Sequence, residues 1–430
     1  MEREKKEKLM IQEKKSRKIT FDYWKHLYAH RTNNMLSSEI RDLLSLSARP
    51  DIISFAGGLP EVRALNYQKL ERYIKRAVKI DGDVSLQYGT SEGYYPLKTK
   101  LVEVMKMEGI EVNEEDMIIT TGGQQAIDLL AKIFLNPGDV IIVEAPSYTG
   151  ALNSFKSYEP EIVSIPVDKD GIKTQQLEDV LEELYKKNTQ VKFIYIVTNF
   201  SNPSGVTTSL ERRRKLLDLA KKYNTVIIED NPYGMLRFEG KSIPSLKELD
   251  LKRNDQIVIY ISTLSKIFAP GLRIGWIVAP HPILEKINIA IQSADLCTSS
   301  LTQRIAYEYF SDPTWKENIE KFIRIYRERR DTMLKALEES FPEEATWSKP
   351  EGGFFIWLKL PEYLNTKEIL ADAVTNKVAY VPGTGFYVDG RGKNEARLSF
   401  STEGPERIER GINILAKVIK DKMSLYKKFL

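Results

Sequence analysis

Residues 257–276 read IVIYISTLSKIFAPGLRIGW. The first five, Ile257 to Ile261, are apolar and mostly β-branched, the composition of a strand covered on both faces. That strand delivers Ser262, Thr263, Ser265 and Lys266 into one loop, and Arg273 follows seven residues after the lysine. A lysine in apolar surroundings has its ammonium form disfavoured, so its neutral amine is available to condense with an aldehyde. Hydroxyls and a guanidinium beside it suit a phosphate. The stretch therefore predicts a buried strand that carries a covalent anchor and an anion clamp at its carboxyl end.

Outward from it, strand and helix patterns alternate. Strand-like runs occur at MIIT (117–120), VIIV (140–143), IVSIPV (162–167), FIYIV (193–197), VIIE (226–229), IVIYI (257–261) and IGWIVA (274–279). Helical stretches separate several of them. QQAIDLLAKIFL is closed by Asn136, Pro137 and Gly138, and TSLERRRKLLDLAKKYN is opened by a Thr208/Glu211 capping box. Apolar strands joined by helical crossovers predict a mainly parallel, seven-stranded sheet covered by helices on both faces. After Pro280 the pattern changes: residues 299–340 read as mostly helical. A smaller α/β unit follows, with strands near 354–358, 378–381 and 396–400 and a terminal helix from Pro405. SSEIRDLLSLS, from Ser37, reads as a short amphipathic helix. The expected division is a charged extension over 1–34, an arm joining the small domain over 35–65, a large domain over 66–300, and a linking helix with the small domain over 301–430.

The 430 residues carry a formal charge of +4, and the first 18 hold eight Lys/Arg against four Glu, so the rest of the chain is nearly neutral. That balance is no nucleic-acid signature. No apolar run approaches the roughly 18 residues that span a bilayer, and the amino terminus lacks a signal-peptide core, so a cytoplasmic location is expected. Cys297 is the sole cysteine and His26, His30 and His281 form no ligand set, so neither a disulfide nor a metal site is expected.

In an open α/β sheet ligands bind beyond the carboxyl ends of the strands, and the other candidates lie there. MIIT runs into TGGQQ and a helix, whose Gly122, Gly123 and Gln124 N–H groups would face a phosphate. VIIE leads to Asp230, a carboxylate able to keep a pyridine nitrogen protonated, with the Tyr233 phenol three residues on. FIYIVTNF reaches Asn202 in SNPSG. An amine, a phosphate clamp, an acid and ring-oxygen donors at four strand ends together describe a site for pyridoxal 5'-phosphate (PLP).

DNPY, SNPSG and SKIFAPGLRIGW resemble the fold-type I, class I/II aminotransferases, from about Ser37 to the C-terminus. FAGGLP, LQYGTSEG, TTGGQQAIDLL and YVPGTGF are similar to the subgroup of 2-aminoadipate/kynurenine and archaeal multi-substrate aromatic aminotransferases. The resemblance implies the PLP-dependent transferase fold type I. It also implies that Lys266 is the Schiff-base lysine and proton shuttle, and that Arg273, Ser265, Gly123 and Gln124 hold the phosphate. Asp230 would pair with the ring nitrogen, Asn202 and Tyr233 would contact the ring hydroxyl, and Tyr148 would stack on the ring. Tyr88 would reach the phosphate of a neighbouring subunit, making the enzyme a homodimer. Arg397, with Asn202 and Gly58, would bind the substrate carboxylate. Arg41 would meet a side-chain carboxylate or swing away from aromatic chains. The implied reaction moves an amino group from an aromatic, 2-aminoadipate or other L-amino acid to 2-oxoglutarate by a ping-pong route. Alternatives are another PLP reaction such as a β-lyase, or a regulator-derived aminotransferase-like binding domain, for which the roughly 34 preceding residues are short. One departure stands out: after GGLP the subgroup continues with Asn-Pro, whereas this chain has Glu61 to Asn66, where Arg63 could supply a second anion contact.

Overall fold

The computed structural model describes residues 24–35 and 49–427. Its strands, in chain order, begin with β1 (Ile53–Ser54), β2 (Met117–Thr120), β3 (Val140–Ala145), β4 (Glu161–Asp168), β5 (Gly171–Ile172) and β6 (Val191–Ile196). They continue with β7 (Val226–Asp230), β8 (Val258–Thr263), β9 (Gly275–Val278), β10 (Thr346–Trp347), β11 (Phe355–Lys359), β12 (Val378–Ala379), β13 (Val381–Pro382) and β14 (Glu395–Ser399).

The large sheet has the order β2-β9-β8-β7-β6-β3-β4-β5. Strands β8, β7, β6, β3 and β4 run parallel to one another, while β9 is antiparallel to both β8 and β2. The exception has a local cause. Between β8 and β9 the chain has only the loop around the 3-10 turn Pro270–Leu272, too short for a helical crossover, so it folds straight back. All seven strands expected from the sequence are present, and β5 adds a two-residue hairpin at the edge.

Alternation along the strands builds two cores. Ile141 and Val143 of β3 face the helices Gly123–Phe134 and His281–Ala294, and Val140 and Ile142 face Thr174–Lys186 and Leu210–Lys222. Helix Leu210–Lys222 starts one residue later than its sequence suggested. Its N-cap is Ser209, whose hydroxyl accepts from Arg212 N at 3.4 Å. Thr208 cannot take that place because its own N–H and C=O are bound, to Thr198 O and Arg213 Nε, each at 2.9 Å.

The second sheet, β10-β11-β14-β13, is antiparallel, and its helix Pro405–Lys427 packs on the long helix Trp315–Ser340. The VAYV run divides at Tyr380. Val378–Ala379 pairs with β1, bringing residues 53–54 to this unit, and Val381–Pro382 pairs with β14. The helix expected from Ser37 lies outside the described residues. Among the described residues, no helix is long and apolar enough to cross a membrane and no cluster of His, Cys, Asp or Glu could hold a metal ion.

Candidate active site

The carboxyl ends of β6, β7 and β8, the amino end of helix Gly123–Phe134 and strand β14 enclose a cavity of about 690 Å³. Lys266, Asp230, Tyr233, Asn202 and Arg397 line one part of it. Gly123, Gln124, Tyr148, Ser265, Arg273 and Gly58 belong to the same lining.

Lys266 follows β8 by three residues. Its Nζ lies 3.4 Å from Gly58 O, 5.8 Å from the centre of the Tyr233 ring and 5.6 Å from that of Phe354. Burial, reinforced by the Arg397 and Arg273 guanidiniums and opposed by Asp230, brings its pKa down to about 8. The amine that the sequence singled out is thus poised to lose its proton near neutrality.

Asp230 ends β7 and is 6% exposed. Burial raises its pKa to about 6; a hydrogen bond from Tyr195 Oη to Oδ2 at 2.6 Å and the charge on Lys266 oppose that rise. Tyr195 was missed in the sequence, where it reads as one more apolar residue of FIYIV. A signal was present, because a phenol in a fully buried strand needs a partner. Naming that partner required the register, which sets Tyr195 beside Ile228 and so two residues from Asp230 on the adjacent strand. Tyr233 is buried edge-on against Phe354 and Phe355, at 5.3 and 6.0 Å between ring centres, and burial pushes its phenol well above the ordinary range.

Arg397 sits in β14 between Trp357 of β11 and Val381 of β13. Its guanidinium lies over the rings of Phe355 and Phe386, 4.3 and 5.2 Å from their centres. Nη1 donates to Asn202 Oδ1 at 2.8 Å and Nη2 to Ala56 O at 2.7 Å, while Nε is buried with no partner. Burial lowers its pKa to about 10, still far above neutrality, so the charge persists.

At the other end, helix Gly123–Phe134 opens on Gly122 at φ +79° with no side-chain cap, so its first N–H groups remain available to an anion. The turn has no room to spare. A Cβ on Gly122 would collide with Arg273 Nη2, and one on Gly275 of β9 would lie 2.6 Å from Gly122 C. Ser265 Oγ is 2.9 Å from Thr263 Oγ1, which donates its own proton to Ile274 O at 2.8 Å. The Gln124 side chain is occupied elsewhere: Nε2 donates to Gly150 O and Ser154 Oγ, both at 2.8 Å, and Oε1 accepts from Tyr148 Oη at 3.1 Å. It therefore fixes the Tyr148 ring, leaving its backbone N–H for the phosphate end.

Two expected residues stand apart from the cavity, and a third cannot be placed against it. Tyr88 is 77% exposed and outside the cavity lining. Arg41 lies outside the described residues. Arg63 is no free anion contact: it turns away to Glu61, which it meets at 2.7 and 2.8 Å. The arrangement fits PLP on its donor set. It offers an uncapped helix start and a guanidinium for a phosphate, a buried acid for a basic ring nitrogen, a low-pKa amine for an aldehyde, and an unpaired buried N–H on Arg397 for a carboxylate.

Residues 50–415 match the sequence pattern of the family described as aminotransferase class I and II. The chain is 44% identical over 405 residues to aromatic-amino-acid aminotransferase 1 of Thermococcus litoralis, covering 94% of this chain and 96% of the relative. The crystal structure of Pyrococcus horikoshii kynurenine aminotransferase, in complex with PMP, superposes with a TM-score of 0.89 at 42% identity, covering 93% and 98% of the two chains. That of the α-aminoadipate aminotransferase of Thermus thermophilus, complexed with N-(5'-phosphopyridoxyl)-L-leucine, gives 0.87 at 35% identity, covering 94% and 99%. These likenesses span the sheet, the cavity and the small unit together, and the chain belongs to the class I and II aminotransferases of fold type I, as a PLP-dependent transaminase.

Proposed function

We propose that the enzyme moves an amino group from an aromatic or 2-aminoadipate-type L-amino acid to 2-oxoglutarate in two separate halves, and that it does so as a homodimer. The observation that carries this reading is the joining of Lys266 and Arg397 across one cavity, through the carbonyls of Gly58 and Ala56. A 2-amino acid offers a carboxylate and a Cα–H two bonds apart. A guanidinium held by two hydrogen bonds suits the first, and an amine lining the same cavity suits the second.

Bound PLP supplies an electron sink for the charge left when Cα–H breaks. Arg397 orients the substrate by its carboxylate, offering the Nε–H that has no partner and exchanging the bond now made to Asn202, while Nη2 stays on the Ala56 carbonyl. Lys266, whose pKa burial brings down to about 8, would take and move the Cα proton. Asp230 would keep a proton on the ring nitrogen, and the hydrogen bond from Tyr195 favours the ionised carboxylate. Tyr233 and Asn202 would donate to the ring oxygen, Tyr148 would cover the ring, and Arg273, Ser265 and the start of helix Gly123–Phe134 would hold the phosphate. Tyr88 completes the phosphate site of the second subunit. Its neighbourhood supports a subunit contact, since Ile74, Val78, Leu86 and Tyr88 expose apolar surface along and just after helix Tyr67–Ser85. In this reading residues 66–300 and 301–430 act as the large and small domains.

The donor range rests on the relatives named for aromatic amino acids, kynurenine and aminoadipate. Leu59 and Met35 at the cavity give an apolar wall suited to such chains. Mixing the loaded enzyme with single amino acids and following the cofactor's aldehyde absorbance tests it. The expected result is loss of the band with aromatic amino acids and 2-aminoadipate, and its recovery on adding 2-oxoglutarate. Formation of a 2-oxo acid with release of ammonia and no need of an acceptor would favour a β-lyase instead.

A further inference from the structure

The loop after β1 supplies carbonyls to both working side chains: Ala56 O to Arg397 at 2.7 Å and Gly58 O to Lys266 at 3.4 Å. Something must hold that loop still, and Glu61 is placed to do so. Its carboxylate is buried, at 7% exposure for the residue, and accepts from Arg63 Nε and Nη2 at 2.7 and 2.8 Å and from Arg329 Nη2 at 2.6 Å. Its N–H donates to Tyr326 Oη at 2.8 Å. Arg329, buried in helix Trp315–Ser340, gives its other terminal nitrogen to Ser401 O, and Ser401 Oγ donates to Leu59 O at 2.8 Å. Ser401 stands two residues beyond β14, the strand of Arg397. One acid therefore ties together the Ala56–Leu59 loop, the long helix and the exit of β14. Although burial alone would raise its pKa, Arg63 and Arg329 hold it below the usual carboxylate range.

We propose that Glu61 is a positioning residue for Arg397, holding the Ala56 carbonyl where it aims the guanidinium at the substrate carboxylate. The proposal rests on the assignment of Arg397 made above. Removing the charge leaves Arg329 buried without a counter-ion, so the loop and the β14 exit lose their common anchor. Arg397 holds the carboxylate equally in the bound and reacting states, so the loss falls on binding and spares the chemical step.

The test uses the holoenzyme and its E61Q, E61D and R397K variants. Measured are KM and kcat for an aromatic donor, the calorimetric Kd of 3-phenylpropanoate, a carboxylate without an amino group, and the pH dependence of the bound cofactor's visible spectrum. E61Q is expected to raise KM and Kd about tenfold or more, with kcat within about twofold and the spectral titration unchanged. E61D, which keeps the charge on a shorter arm, falls between. If R397K weakens 3-phenylpropanoate while E61Q leaves it within twofold of wild type, the role of Glu61 is overturned and that of Arg397 stands. A lower thermal midpoint in E61Q with unchanged KM overturns it equally, because a plain structural brace would do that. Should E61Q not accumulate, E61D decides by the same measurements. If R397K leaves Kd unchanged, the assignment of Arg397 fails and the proposal with it.

Discussion

Tyr233 and Phe354 wall Lys266 while Arg397 and Arg273 repel its proton, so its ammonium form is the costly one. With a pKa lowered to about 8, the neutral amine is scarce at pH 6, half-populated near 8 and dominant above it. The cofactor-free protein should accordingly capture PLP at a rate that climbs with pH through about 8 and then levels off; stopped-flow absorbance checks this, and a midpoint near 10.5 would show an ordinary lysine. Asp230 has the opposite problem, a carboxylate whose burial favours the protonated form. Asp230→Asn should cost roughly 10² to 10⁴ in kcat, the span of a broken buried charge pair of about 3–5 kcal/mol, while the protein still binds cofactor. Tyr195→Phe removes the donor that favours the ionised acid, so the pKa should rise further above about 6 and the acid limb of the kcat/KM profile should move to higher pH. An unmoved limb would leave Tyr195 without that role. Lys266 and Asp230 were legible in the sequence because each comes at or just past the end of an apolar strand, and Arg273 because it lies seven residues after Lys266 in the same loop. Tyr195 and the Glu61–Arg329 pair were not, for hydrogen bonds between strands and across 268 positions depend on register and packing that no local pattern records.

The decisive element is the turn between β2 and helix Gly123–Phe134. Its glycine adopts φ +79°, and the nearest atom to any added Cβ belongs to Arg273. Gly122→Ala should therefore weaken PLP retention by about tenfold or more, with the fold intact by circular dichroism. Equilibrium dialysis measures the change; unchanged retention would mean that neither the turn nor Arg273 holds phosphate. Strand identities were readable because seven apolar runs left no other assignment. The reversed direction of β9 was hidden, since it follows from the brevity of a connection and from no residue in the strand. The shift of the cap from Thr208 to Ser209 was equally hidden, as Thr208's backbone is claimed by Thr198 and Arg213.

At the scale of the whole molecule, the chain closes one cavity with residues drawn from both sheets but leaves Tyr88 outside it. In the proposed dimer, each subunit carries its own Lys266 and takes Tyr88 from its partner. Co-expressing Lys266→Ala with Tyr88→Ala should then yield mixed dimers with one fully wild-type site, and an activity above the sum of the two parents. Strict additivity would place Tyr88 outside the partner's site. The two-sheet division was visible in the sequence as a change of pattern after Pro280. How the long helix, β1 and β14 converge on the cavity was not, because those contacts join distant segments.

The chemistry of the cavity depends on which amine meets the cofactor. Sodium borohydride treatment of the PLP-loaded enzyme, followed by peptide mass mapping, identifies that amine in one step. The phosphopyridoxyl mass is expected on Lys266 alone; the same mass on another lysine, or on none, would contradict the assignment.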